Sequence, residues 1–137
     1  MKILAIDYGT KRIGFAIGNT SIFTTAPLDP FPYKKKTQAL DHIKKLVAEY
    51  EIGLVLVGYP LHMDGAKSTT TEAVERFRDH LKKVLPPGVA AEFVDERLSS
   101  FEAAEELKTL RPEFKRKQAV MDSMAAVMIL RRFMENQ

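Results

Sequence analysis

The chain has 137 residues, room for one domain whose core needs no staples to fold. It contains no cysteine, which excludes disulfides and thiolate metal sites, and its 45% apolar content is ordinary for a globular protein. The net charge of +3 is mildly basic, the opening apolar run is cut short by Asp7 before it could serve as a signal sequence, and no run approaches the ~20 apolar residues of a bilayer span. A soluble cytoplasmic protein with no membrane partner is the expectation.

Taken in chain order, residues 2–7 and 12–18 read as two strands of a hairpin, with 22–26 a short third. The segment Ala26-Pro-Leu-Asp-Pro-Phe-Pro-Tyr33 holds three prolines and reads as an irregular connection. From Lys36 to Tyr50 the apolar residues Leu40, Ile43, Leu46 and Val47 recur at helical spacing. Residues 52–57 form an apolar run without alternation, as in a strand covered on both faces. A loop, Gly58 to Gly65, precedes a helix in which Thr69 and Glu72 offer a capping box and Val74, Phe77, Leu81 and Val84 a buried stripe. Pro86-Pro87-Gly88 ends that helix, and Ala90 to Asp95 reads as a strand. Ser99 and Glu102 cap a further helix that stops at Arg111-Pro112, and a last helix spans about 117–134. Three meander strands followed by strands alternating with helices predict an α/β fold, a mixed five-stranded sheet flanked by helices on both faces, in a single domain over 1–137.

Acids interrupt apolar surroundings at three places. Asp7 ends the first strand, Asp95-Glu96 ends the last, and Asp122 lies on a helix face with Ala119, Ala126, Ile129 and Phe133. In open α/β sheets ligands gather beyond the carboxyl ends of the strands. A buried carboxylate without a partner costs several kcal/mol, so a cluster of acids there suits a hard divalent cation such as Mg²⁺ or Mn²⁺, which takes oxygen ligands. Alone, Asp7 also reads as an ordinary turn cap. The cationic runs Lys34-Lys35-Lys36 and Lys108 to Lys117 suit a polyanion, although a solvated basic face is the plainer reading of either. No Ser–His or Cys–His pair competes: His42 and His80 read as surface helix residues, and His62 lies in the Gly58–Gly65 loop.

Four motifs resemble one family. Asp7-Tyr-Gly-Thr-Lys-Arg-Ile-Gly14, Gly58-Tyr-Pro60-Leu with Asp64-Gly65, Asp95-Glu96-Arg97-Leu98-Ser99 and Asp122-Ser-Met-Ala125-Ala126 follow the order and spacing of the YqgF family, also called RuvX. Its members are described as bacterial Holliday-junction resolvases and pre-16S ribosomal RNA nucleases. The resemblance implies a ribonuclease-H-like fold and metal-dependent phosphodiester hydrolysis, with Asp7, Glu96 and Asp122 as catalytic metal ligands and Asp95 the competing choice for Glu96. It favours precursor ribosomal RNA as substrate, with branched DNA as the alternative and ribosomal particles as a further partner. Candidate phosphate contacts are Thr10, Lys11 and Arg12 in the first turn and Arg97 beside the acids, with Lys115, Arg116 and Lys117 as a nucleic-acid track.

Two other classes share these features. Asp-x-Gly-Thr after a strand also resembles the phosphate loop of actin-like ATPases and sugar kinases, which need two such domains. A non-catalytic nucleic-acid or protein-binding module would explain the basic runs and leave the acids without purpose. Either a monomer or a homodimer is compatible with the sequence.

Overall fold

The computed structural model describes residues 1–60, 64–95 and 118–135, with side chains in the last segment from Met124 onward. Its strands are β1 (Lys2–Asp7), β2 (Arg12–Asn19), β3 (Thr24–Pro32), β4 (Leu54–Tyr59) and β5 (Ala90–Asp95). Its helices are α1 (Lys36–Glu49), α2 (Thr69–Val84) and α3 (Gln118–Glu135). The predicted helix over 99–110 and residue 117 lie outside the described residues.

The strands form one sheet in the order β3-β2-β1-β4-β5. β1 pairs antiparallel with β2 and parallel with β4, so the first hairpin joins directly onto the parallel half. β4 continues parallel to β5. Alternation along the strands divides the core into two layers. Leu4, Ile6, Ile13, Phe15, Val55 and Val57 pack under α1 and α2, whereas Ile3, Ala5, Ala16, Leu54, Leu56 and Val94 pack under α3. Strands covered on both faces read as continuous apolar runs, which is why β1 and β4 show no polar alternation.

β3 corrects the reading of 26–33 as irregular. It runs nine residues through Pro27, Pro30 and Pro32 and pairs with β2 along that length, with a bulge between Ile13 and Phe15. Proline lacks the amide a central strand must donate, but an edge strand has one side unpaired and tolerates it. The same prolines blunt the edge against pairing with another chain.

The start of α2 also differs from expectation. Ser68, not Thr69, is the cap: the Thr71 amide donates to Ser68 Oγ at 3.2 Å and the Ser68 amide donates to Thr71 Oγ1 at 3.0 Å. The fully buried Thr71 hydroxyl also donates to the Pro60 carbonyl, tying the helix to the end of β4.

His42 is a third correction. It is half-buried rather than a plain surface residue, stacked on Phe31 with ring centroids 4.0 Å apart. Burial and the nearby Lys45 lower its pKa.

α3 approaches the sheet closely because the facing residues are small. A Cβ built on Gly18 would stand 2.7 Å from Leu130 Cδ2, so β2 can carry only glycine there without moving a buried leucine. Met128 is buried and Met124 is packed against the same cluster.

Candidate active site

Asp7 is the last residue of β1 and half-buried. Ile3 and Ala5, four and two residues before it, belong to the α3 layer, so alternation turns Asp7 toward that layer. Its register partner on β2 is Gly14, which has no side chain to fill the space beside it. An open depression of about 410 Å³ lies here, lined by Asp7, Gly9, Thr10, Lys11, Arg12 and Gly14. The fold thus gathers a carboxylate, a hydroxyl and two cations from one short turn.

That turn is tightly specified. A Cβ at Gly9 would fall 2.4 Å from the backbone oxygen of Arg12, so only glycine permits the close return of the chain. Tyr33, just past β3, holds the turn from outside: its amide donates to the Lys11 carbonyl at 3.0 Å and its hydroxyl to the Gly9 carbonyl. Burial, followed by the neighbouring Tyr8 hydroxyl, pushes the Tyr33 pKa up. Tyr8 in turn stacks on Phe77 of α2, centroids 4.3 Å apart. Tyr33 had no signal in the sequence, because its partners are distant in the chain and no motif joins them.

Asp95 sits elsewhere. It pairs with Tyr59 on β4, two strands or roughly 10 Å from β1. Val94 belongs to the α3 layer and Phe93 packs into the α1/α2 layer, so Asp95 turns to the α2 side with Phe93 and Tyr59. Tyr59 donates to Glu75 Oε2 at 3.2 Å, and Lys67 pairs with the same oxygen at 3.1 Å. The hydrogen bond from Lys67 holds the Glu75 pKa below the usual carboxylate range. Asp7 and Asp95 therefore face opposite layers.

The position of Asp122 follows from the direction of α3. Leu130 lies against Gly18, whose register partner is Ile3 near the start of β1. Arg131, Met134 and Glu135 line a depression with Phe23 in the turn between β2 and β3. The C-terminal end of α3 thus covers the start of β1, and its N-terminal part extends toward Asp7. The helix rises about 12 Å from Leu130 back to Asp122, and β1 rises about 13 Å from Ile3 to Asp7. Asp122 also occupies the helical stripe of Ala126 and Ile129, both fully buried against the sheet. Its backbone thus belongs to the helix that covers the layer toward which Asp7 turns.

Glu96, Arg97, Lys115, Arg116, Lys117 and His62 lie outside the described residues, as does the side chain of Asp122. Among the described residues no three acids or histidines converge into a metal-holding group. The donor chemistry at this end fits a hard cation, because Asp7 offers carboxylate oxygen and the chain has no thiolate to favour a soft metal. No helix of the described residues is long and apolar enough to cross a membrane.

Known proteins resemble the chain along nearly its whole length. The family model described as RuvX, Holliday junction resolvase, matches residues 1–136. A protein of Alcanivorax borkumensis named "Putative pre-16S rRNA nuclease" is 40% identical over 131 residues, covering 96% of this chain and 93% of the relative. A relative of the same name from Mesomycoplasma hyopneumoniae is 37% identical over 138 residues, covering 99% of this chain and 95% of its own. Among solved structures, Thermus thermophilus RuvC bound to a Holliday junction substrate superposes with a TM-score of 0.57 at 11% identity, covering 99% of this chain and 96% of that one. The fowlpox virus Holliday junction resolvase gives 0.60 at 11% identity, covering all of both chains. Structural likeness at such low identity establishes the fold, which is ribonuclease-H-like: a mixed five-stranded sheet flanked by helices.

Proposed function

The chain belongs to the RuvX family, and from that membership we propose that it is a metal-dependent endonuclease that hydrolyses phosphodiester bonds in precursor 16S ribosomal RNA. The relatives' names support the substrate, and their identity over nearly full length supports carrying it across. One observation carries the chemistry. Asp7 ends a buried strand in a depression whose other walls are a hydroxyl, two cations and a glycine-permitted turn.

In this reading Asp7, Glu96 and Asp122 hold Mg²⁺ or Mn²⁺. Asp95 gives way to Glu96 because its strand position turns it to the opposite layer from Asp7. A divalent ion held by such oxygens supplies charge neutralisation at the phosphoryl group and a more acidic water. The rest falls to the chain itself. Thr10, Lys11 and Arg12 receive the phosphate beside Asp7, on a turn whose close return Gly9 permits. Arg97 adds a cation next to Glu96, and Lys115, Arg116 and Lys117 follow the polynucleotide away from the site. The whole chain acts as one domain in the cytoplasm, on RNA free or within ribosomal particles, as a monomer or homodimer.

The family description itself favours a second substrate, a four-way DNA junction. Incubating the protein with a 5′ precursor fragment of 16S RNA and with a synthetic junction, each with and without Mn²⁺, separates the two. Manganese-dependent cleavage of the RNA alone supports the first reading. Paired cuts in the junction with intact RNA assign the second.

A further inference from the structure

Lys34, Lys35 and Lys36 form the corner between β3 and α1, and the chemistry above leaves them unused. The corner is built directly onto the turn that follows Asp7. Tyr33, the residue before it, donates its amide to Lys11 and its hydroxyl to Gly9. The Gln38 side-chain oxygen accepts the amides of Lys34 at 2.9 Å and Lys35 at 3.1 Å, which sets the corner's backbone. On its other side Lys36 Nζ lies 3.4 Å from Nδ1 of His80 on α2. Arg76 shares the exposed helix face of His80 one turn earlier. The rings of Tyr33, Tyr8 and Phe77 connect the two sides in a row, with centroid separations of 6.3 and 4.3 Å.

The charges here are poorly balanced. α1 has no acidic residue in its first turn. Asp79, next to His80, is engaged by Arg78 at 3.8 Å. Lysines at the positive end of a helix dipole are disfavoured, and an anion across them reverses the sign of that effect. Lys36 of α1 and His80 of α2 meet at this corner, with Arg76 and then Glu72 following at one-turn intervals on the same exposed face of α2, and Tyr33 and Tyr8 connect both sides to the turn that lines the Asp7 depression.

We propose that Lys34, Lys35 and Lys36, continued by His80 and Arg76, form a track for the sugar–phosphate backbone of the polynucleotide beyond the bond cleaved at Asp7. The strand then crosses the carboxyl end of the sheet, from the α3 layer to the α1/α2 layer, by way of Lys11. The identity of the ligand rests on the nuclease reading above; the placement of the track does not.

The test uses Asp7→Asn to silence cleavage and measures binding of a fluorescent 5′ precursor 16S RNA fragment over a salt series. The same measurement is made with Lys34→Gln, Lys35→Gln and Lys36→Gln combined in that background. The salt slope should fall by about 2 to 3 and the Kd should rise about tenfold or more at fixed salt, while a triple arginine variant retains both. In the active background, cleavage of an RNA too short to leave the Asp7 depression should be unchanged. Equal slopes and affinities for the glutamine variant and its parent overturn the track, even if the protein cleaves RNA. A lowered slope in a protein that never cleaves RNA supports the track and defeats the nuclease reading instead.

Discussion

The Tyr33 hydroxyl donates to the carbonyl of Gly9, and the Tyr33 amide donates to the carbonyl of Lys11, so one side chain and one amide hold both arms of the turn after Asp7. The turn supplies most of the lining of the depression in which Asp7 sits. Replacing Tyr33 with phenylalanine keeps the ring against Tyr8 and deletes only the donor. Stability should fall by about 1 kcal/mol in urea unfolding. RNA cleavage should fall about tenfold or more, mainly in kcat, because small displacements of positioned groups are costly. Cleavage equal to wild type would show that the hydroxyl does not position the turn.

A second prediction concerns the contact of Leu130 with Gly18. Gly18→Ala should destabilise the fold by about 1–3 kcal/mol, since the added methyl overpacks against Leu130 Cδ2. Leu130→Val opens a void at the same place. Combined, the two changes should cost at least about 0.5 kcal/mol less than their sum. Strict additivity in denaturant unfolding would mean that α3 shifts as a body rather than pressing on this strand.

His42 gives a pH dependence with a definite sign. Its folded pKa is lowered, chiefly by burial beside Phe31 and then by Lys45. The folded state therefore binds its proton less readily than the unfolded chain, whose histidine titrates near about 6.5. This contribution is fully present above that pH and is lost as pH falls toward the folded value. His42→Leu should remove it. In urea titrations at neutral and mildly acidic pH, wild type should lose more stability on acidification than the variant; equal losses would contradict the assignment.

The sequence exposes this fold unevenly, for physical reasons. β1 and β4 are legible because burial on both faces demands an unbroken apolar run. β3 is not, because its prolines read as breakers until its place at the sheet edge is known. The cap of α2 shifts from Thr69 to Ser68 because Thr71, buried against Pro60, answers the cap in place of Glu72. His42 looks solvated until Phe31 of β3 is seen to stack on it. In the site, Asp7 and its turn are legible because they are contiguous. The choice between Asp95 and Glu96 turns on a single position of strand register, and it takes the pairing of Asp95 with Tyr59 to show that Asp95 faces away from Asp7. Tyr33 acts on a turn far away in the chain, which no local pattern reveals.

Asp7, and not Asp95, is proposed as a metal-holding carboxylate of a nuclease. The most direct measurement compares Asp7→Asn and Asp95→Asn with wild type in Mn²⁺-dependent cleavage of the precursor 16S fragment, with RNA binding and unfolding recorded for each. Asp7→Asn should lose about 100-fold or more in rate while still folding and binding RNA, and Asp95→Asn should cleave close to wild type. Cleavage that survives in Asp7→Asn, or that is lost equally in both variants, would contradict the account.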